Sequence, residues 1–138
     1  MPIHILLVDD DPDDVELFID GLHCVDKAIK CSHAGNGHEA LHMLRLNPDF
    51  RPDYIFLDLN MPRLSGKQLL VELKKFPELR TIPVIIYTTS KLMQDKEETR
   101  QLGAAHFITK PYKLKDLCDS IRFVLEGKWK KKRAHHDH

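Results

Sequence analysis

Ile3-His4-Ile5-Leu6-Leu7-Val8-Asp9-Asp10-Asp11-Pro12 joins an apolar run directly to a cluster of acids. The apolar part is short and β-branched and does not alternate with polar residues, which is the pattern of a strand buried on both faces. The acids therefore fall at its carboxyl end. Asp11 is a suitable helix N-cap and Pro12 a suitable first helical residue, and Val15, Phe18, Ile19 and Leu22 follow at the spacing of one helix face. A strand, an acidic turn and an amphipathic helix are thus predicted in sequence.

The same unit recurs along the chain. A weaker strand over Ile29–Ala34 leads through Gly35-Asn36-Gly37 into a helix using Ala40, Leu41 and Leu44. Tyr54-Ile55-Phe56-Leu57 is a third strand ending at Asp58, and a helix begins at Ser65-Gly66, continues through Leu69, Leu73 and Phe76 and is stopped by Pro77. Val84-Ile85-Ile86-Tyr87 is a fourth strand ending at Thr88, followed by a polar helix over Lys91–Leu102 that closes at Gly103 and has few apolar anchors besides Leu92 and Leu102. His106-Phe107-Ile108-Thr109 makes a fifth strand ending at Lys110-Pro111. The last helix carries the stripe Leu114, Leu117, Cys118, Ile121, Val124 and Leu125, with Gly127 after it. Five such units predict an α/β fold, a doubly wound parallel sheet with helices on both faces.

Composition narrows the function. With 138 residues the chain fits one domain, expected over 1–127, with 128–138 as a basic, disordered tail. The formal net charge is zero, yet the tail holds five basic residues against the single acid Asp137, so the body is acidic and a broad nucleic-acid surface is not expected. Cys24, Cys31 and Cys118 form no C-x-x-C pair and indicate neither a disulfide framework nor a zinc ribbon. The opening Met1-Pro2-Ile3-His4 does not resemble a secretory leader and no membrane span is predicted, so a cytoplasmic location is expected. His135-His136-Asp137-His138 reads as part of the polar tail rather than a metal site.

In open parallel sheets ligands bind outside the strand carboxyl ends. Asp9, Asp10, Asp58, Thr88 and Lys110 all fall on that edge, so an acidic cluster meets a hydroxyl and an ammonium. Two carboxylates about 5 Å apart at an effective dielectric near 20 repel by roughly 3 kcal/mol, so such a cluster calls for a cation or protons. Oxygen-only ligands with room for water suit Mg²⁺. Metal-assisted phosphoryl transfer to an acidic nucleophile fits these groups. An EF-hand over Asp9, Asp11 and Asp13 fails, because its sixth and twelfth positions are Asp14 and Asp20.

Val8-Asp9-Asp10, Leu57-Asp58-Leu59-Asn60-Met61-Pro62, Thr88-Thr89-Ser90 and Lys110-Pro111, in this order, resemble the response-regulator receiver family over roughly Ile3 to Glu126. The resemblance implies a flavodoxin-like strand order 2-1-3-4-5 and a histidine kinase or phosphotransferase as partner. It also implies Asp58 as phosphoacceptor, Asp10 as a direct Mg²⁺ ligand, Asp9 as a ligand through water, and Asp58 and the Asn60 backbone carbonyl as further ligands. By the same resemblance Lys110 pairs with a phosphoryl oxygen, Thr88 swings toward it, Phe107 holds the place of the aromatic switch residue, and Lys110-Pro111 is cis. The segments around Asn60 and Thr88 are similar to those of single-domain regulators serving phytochrome-type or hybrid kinases.

Two functions of different class follow. In the first, the chain is a stand-alone signalling module whose output is protein contact, including self-association as a homodimer, because nothing after Gly127 is long enough for a DNA-binding domain. In the second, Asp58 is the nucleophile of a phosphatase-like hydrolase. Such sites place a second Asp two residues on as general acid, and this chain has Asn60 there, an amide with no titrating proton.

Overall fold

Strands of four or five residues, each followed by a helix, assemble in the computed structural model, which describes residues 2–130, as a single parallel sheet. The elements alternate without exception: β1 His4–Val8, α1 Pro12–Val25, β2 Lys30–Ala34, α2 Gly37–Leu46, β3 Tyr54–Leu57, α3 Gly66–Lys74, β4 Val84–Thr88, α4 Met93–Gln101, β5 His106–Thr109 and α5 Leu114–Leu125. The strand order is β2-β1-β3-β4-β5, so the chain reverses its direction of travel between β1 and β3 and leaves a crevice there at the carboxyl edge. The doubly wound, flavodoxin-like fold is the one expected. Register sets Val8 beside Ala34 and Leu57, and Thr88 beside Thr109, so the strands end nearly level.

Side-chain alternation divides the core in two. Leu6, Val8, Ile55, Leu57, Val84 and Ile86 pack against Ala40 and Leu44 of α2 and Leu69, Leu70 and Leu73 of α3. Ile5, Leu7, Phe56, Ile85, Tyr87 and Ile108 face Phe18 and Leu22 of α1 and Leu117, Ile121 and Val124 of α5. Phe18 lies at ring-centroid distances of 4.9 Å from Phe56 and 5.2 Å from Tyr87, joining α1 to the middle of the sheet. Both faces of the central strands are covered, which is why their sequences do not alternate.

Caps fix where the helices start. The Asp11 carboxylate accepts from the Asp13 N–H, Asn36 from Glu39, and Ser65 with Gln68 forms a reciprocal capping box on α3. Helix α3 ends at Lys74, before Phe76, because Pro77 disfavours helical backbone in the residue it follows. Gly103, at φ +103°, makes the turn from α4 into β5, backbone that a side chain would strain.

The structure corrects two expectations. Of the two expected anchors of α4, Leu102 at its C-cap packs against the core, but Leu92 does not anchor the helix: it is 63% exposed and Met93 76%, while Thr99 is the one buried side chain within it. The helix is polar on nearly every face, so it has no apolar stripe to seat it. The second correction is the Lys110–Pro111 bond, which is trans, as no peptide bond among the described residues is cis. An X–Pro bond prefers trans by about 0.5–1 kcal/mol, and only a specific surrounding selects the other isomer.

Past α5 the chain continues in a 3₁₀ turn, Lys128–Lys130. The Trp129 indole N–H donates to the Val124 carbonyl at 3.1 Å and its ring rests against the α1/α5 side of the core. Residues 128–130 of the tail expected over 128–138 thus continue the packed domain, and its remaining residues 131–138, with the histidines, lie outside the described residues. Cys24, Cys31 and Cys118 are all free thiols, as their spacing suggested. Burial pushes the Cys31 and Cys118 thiols up to about 11, so both are protonated and inert at neutral pH.

Candidate functional site: an acidic cluster on a buried lysine

Asp9 and Asp58 leave neighbouring strands at the crevice, and the backbone pairing that holds those strands also places them. The Asp58 N–H donates to the Val8 carbonyl at 3.0 Å, and the Asp9 N–H to the Ala34 carbonyl at 3.1 Å. Asp9 is 0% exposed, Asp58 5% and Thr88 0%, whereas Asp10 faces solvent. Carboxylate oxygens of Asp9, Asp10 and Asp58 all lie within 4.8 Å of one another. At that separation each pair repels by on the order of 3 kcal/mol at an effective dielectric near 20.

Lys110 answers part of that charge. Its side chain is 8% exposed, and its ammonium donates to Asp9 Oδ2 at 2.8 Å and Asp14 Oδ2 at 2.7 Å, with Asp58 Oδ2 at 3.7 Å. Burial alone would lower its pKa, but the hydrogen bonds to Asp14 and Asp9 outweigh burial and raise it, so the ammonium stays charged. The Tyr87 ring, 5.3 Å away, adds a cation–π contact, and the Lys110 N–H is fixed to the Thr88 carbonyl at 2.7 Å. One ammonium among four carboxylates leaves the site negative. Burial holds the Asp58 carboxyl above the ordinary carboxylate range, Lys110 pulls it back and Asp9 pushes it up again. Oxygen ligands carrying an uncompensated negative charge suit a hard divalent cation such as Mg²⁺ or Mn²⁺.

Around these groups the backbone is closely fitted. Asn60 donates its N–H to Asp58 Oδ1 at 3.3 Å and its side-chain amide to Thr88 Oγ1 at 3.5 Å. The Asp11 N–H donates to Asp9 Oδ1 at 3.0 Å, and His33 Nε2 donates to the Asp9 carbonyl at 2.8 Å. Gly66 lets α3 start directly against the acceptor loop: a Cβ there would stand 2.2 Å from the Asp58 carbonyl oxygen and 2.7 Å from Leu59 Cα.

The structure thus brings together Asp9, Asp10, Asp58, Asn60, Thr88 and Lys110. Phe107 lies apart from them. It is half-buried on β5, beside Ile86, and lines a groove of about 250 Å³ between α4 and α5 together with Phe123 and Trp129. Sequence reasoning missed Asp14, which it assigned to the helix N-terminus. The available signal was position alone, since Asp14 lies in the first turn of α1, directly after the acidic end of β1. Nothing in the sequence pointed to His33. Among the described residues no helix is long and apolar enough to cross a membrane.

A parallel sheet in the order β2-β1-β3-β4-β5 with an acidic triad, a hydroxyl and a lysine at its carboxyl edge places the chain in the flavodoxin-like class of α/β proteins. Residues 5–122 match the response regulator receiver domain, and the chain belongs to that family. It is 33% identical over 125 residues to the polar-differentiation response regulator DivK of Brucella anthropi, covering 91% of this chain and 98% of the relative. Among solved structures it is similar to the phosphorylated cyanobacterial phytochrome response regulator RcpA, at TM-score 0.82 and 31% identity over 91% of this chain and 93% of that one. The Mn²⁺-bound response regulator Rcp1 superposes at TM-score 0.76 and 32% identity over 89% of this chain and 91% of that one. This chain is therefore a receiver domain of two-component signalling.

Proposed function

We propose that Asp58 is the phosphoacceptor of a stand-alone response regulator. A carboxylate oxygen of Asp58 attacks the phosphorus of a phosphohistidine in a kinase or phosphotransferase. The new P–O bond forms as the P–N bond breaks, and the imidazole leaves. Asp9, Asp10, Asp58 and the Asn60 backbone carbonyl are the groups suited to hold Mg²⁺, which when bound supplies charge neutralisation for the transferring oxygens. The observation that carries this reading is the meeting of the three carboxylates within 4.8 Å, with Lys110 already placed on two sides of them.

The roles of the remaining groups follow from position. Lys110, 3.7 Å from Asp58 Oδ2, is the cation within reach of an added phosphoryl oxygen. Thr88 presents a buried hydroxyl whose oxygen accepts from the Asn60 side-chain amide and the Ser90 N–H, each at 3.5 Å, bonds long enough to be given up when the hydroxyl turns to donate to a phosphoryl oxygen. Phe107 sits where a moving β4–α4 connection would change its packing. The likeness to RcpA, a phytochrome response regulator, favours a phytochrome-type or hybrid kinase as donor. Output is assigned to the α4–β5–α5 surface, through tighter partner binding or homodimer formation, in the cytoplasm. No observation favours the hydrolase reading, and Asn60 Nδ2 is engaged with Thr88.

The test is incubation with a small acyl phosphate. The wild-type chain should take up one phosphoryl group, only with a divalent cation present, and should leave a panel of phosphomonoesters unhydrolysed. Catalytic turnover of the panel would favour the hydrolase.

A further inference from the structure

Helix α4 is seated at its C-terminal end by Leu102, which packs against the core, and elsewhere is held to the rest of the molecule by polar groups. Its one buried side chain is Thr99, whose hydroxyl donates to the Asp95 carbonyl of the same helix at 2.8 Å. Lys67, in the first turn of α3, reaches across to it and donates to Asp95 Oδ1 at 2.6 Å and Glu98 Oε2 at 2.7 Å. Gln94 braces Glu98 from within the helix, donating to Oε1 at 2.8 Å. The second oxygen of Asp95 accepts from the Ser90 hydroxyl at 2.5 Å.

Ser90 is also where the β4–α4 connection meets the site. Its N–H donates to Thr88 Oγ1 at 3.5 Å, its carbonyl accepts from the Thr109 hydroxyl at 3.0 Å, and its own hydroxyl accepts from the Leu92 N–H at 3.2 Å. A polar chain therefore runs Thr88–Ser90–Asp95–Lys67, from the end of β4 through the first turn of α4 to α3. The other end of that path returns to the acceptor, because Gly66, next to Lys67, lies against the Asp58 backbone. The hydrogen bond from Lys67 holds the carboxyls of Asp95 and Glu98 below the ordinary carboxylate range.

We infer that Lys67 is a positioning residue, a clasp that fixes α4 against α3 in the unphosphorylated arrangement and so sets how readily Asp58 is phosphorylated. The inference rests on the receiver reading above. A Thr88 hydroxyl that turns toward a new acceptor on Asp58 gives up the Ser90 N–H and the Asn60 amide together. Ser90 must then shift, and its hydroxyl is tied through Asp95 to Lys67. A contact matched to one arrangement opposes whatever favours the other, so the clasp resists the change that phosphorylation drives.

The test compares wild type, Lys67→Gln and Lys67→Arg in two measurements. The first is hydrogen exchange of the unphosphorylated chain without any phosphoryl donor. Amides of α4 should exchange about five- to tenfold faster in Lys67→Gln, with α1 and α5 unchanged, and Lys67→Arg should return them toward wild type. The second is the rate of phosphorylation by a small acyl phosphate with Mg²⁺, which should rise about two- to fivefold in Lys67→Gln and fall back in Lys67→Arg. Unchanged α4 exchange in Lys67→Gln overturns the clasp. Faster exchange with phosphorylation at the wild-type rate or below overturns its coupling to the site and leaves Lys67 a structural contact only. A wild-type chain that takes up no phosphate is a failure of the receiver reading, whereas a failure confined to the Lys67 variants is a failure of the clasp.

Discussion

Lys110→Met removes the ammonium and keeps most of its stem, so its effect isolates charge. Asp9 is 0% exposed and Asp58 5%, and in the variant both lose the ammonium that stands 2.8 and 3.7 Å from their oxygens. Removing one partner of a buried ion pair costs about 3–5 kcal/mol. For a domain of this size that is a fall in Tm of roughly 10–20 °C. The Asp14 contact, with Asp14 30% exposed, adds little to that figure. The sign with pH is fixed by Asp58, whose carboxyl is already above its ordinary range and is drawn down chiefly by Lys110. Without Lys110 it rises further, and a carboxyl raised in the folded state destabilises that state when ionised. The cost is absent below the unfolded carboxylate pKa, about 4, and complete above the folded one. The Lys110→Met deficit should therefore be large at neutral pH and shrink as the pH falls toward 4. Excess Mg²⁺ should restore about half of it or more, since it supplies the missing positive charge to the same carboxylates. Urea unfolding at several pH values, with and without Mg²⁺, measures all three. A variant within about 1 kcal/mol of wild type at neutral pH, insensitive to Mg²⁺, would refute the charge account of the site.

Asp58→Asn should stabilise the metal-free protein by on the order of 1 kcal/mol at neutral pH, because burial penalises the ionised carboxylate by more than its attraction to Lys110 recovers; thermal unfolding checks the sign. Gly66→Ala should destabilise by about 3 kcal/mol or more, since the new methyl meets backbone atoms of Asp58 and Leu59 rather than a movable side chain, and urea unfolding reads it. Thr88→Ala should cost only about 1 kcal/mol of stability, its hydrogen bonds being long, yet should reduce the amide-shift changes on phosphorylation around α4 and β5. A full wild-type set of shift changes in Thr88→Ala would exclude its proposed role.

The strands, their order of appearance and the edge that carries the chemistry were legible because β1, β3 and β4 are apolar without alternation and each ends at a polar residue. Asp9, Asp10, Asp58, Thr88 and Lys110 could be named from that pattern alone. The limits were of two kinds. Asp14 and His33 reach the site through the packing of α1 and β2 against their neighbours, and a charge at a helix start has an adequate local explanation that hides its second partner. In α4 the sequence was read for apolar anchors, and Leu92 supplied one by type. The first turns of the helix are instead seated by Lys67 on Asp95 and Glu98, pairs 28 and 31 residues apart that leave no periodic trace, with Ser90 bonded to Asp95 five residues on. The isomer at Pro111 was equally out of reach, because the small trans preference is decided by surroundings and not by the dipeptide.

The central claim is that Asp58 accepts the phosphoryl group, and the most direct test is to locate that group. The wild-type chain is treated with a small acyl phosphate and Mg²⁺, the acyl phosphate formed is reduced with borohydride, and the peptides are sequenced by mass spectrometry. The account predicts homoserine at position 58 and nowhere else, with no modified peptide from Asp58→Asn or from wild type stripped of divalent cations. Reduction at Asp9, Asp10 or another carboxylate in the wild-type chain, or undiminished labelling of Asp58→Asn, would contradict it.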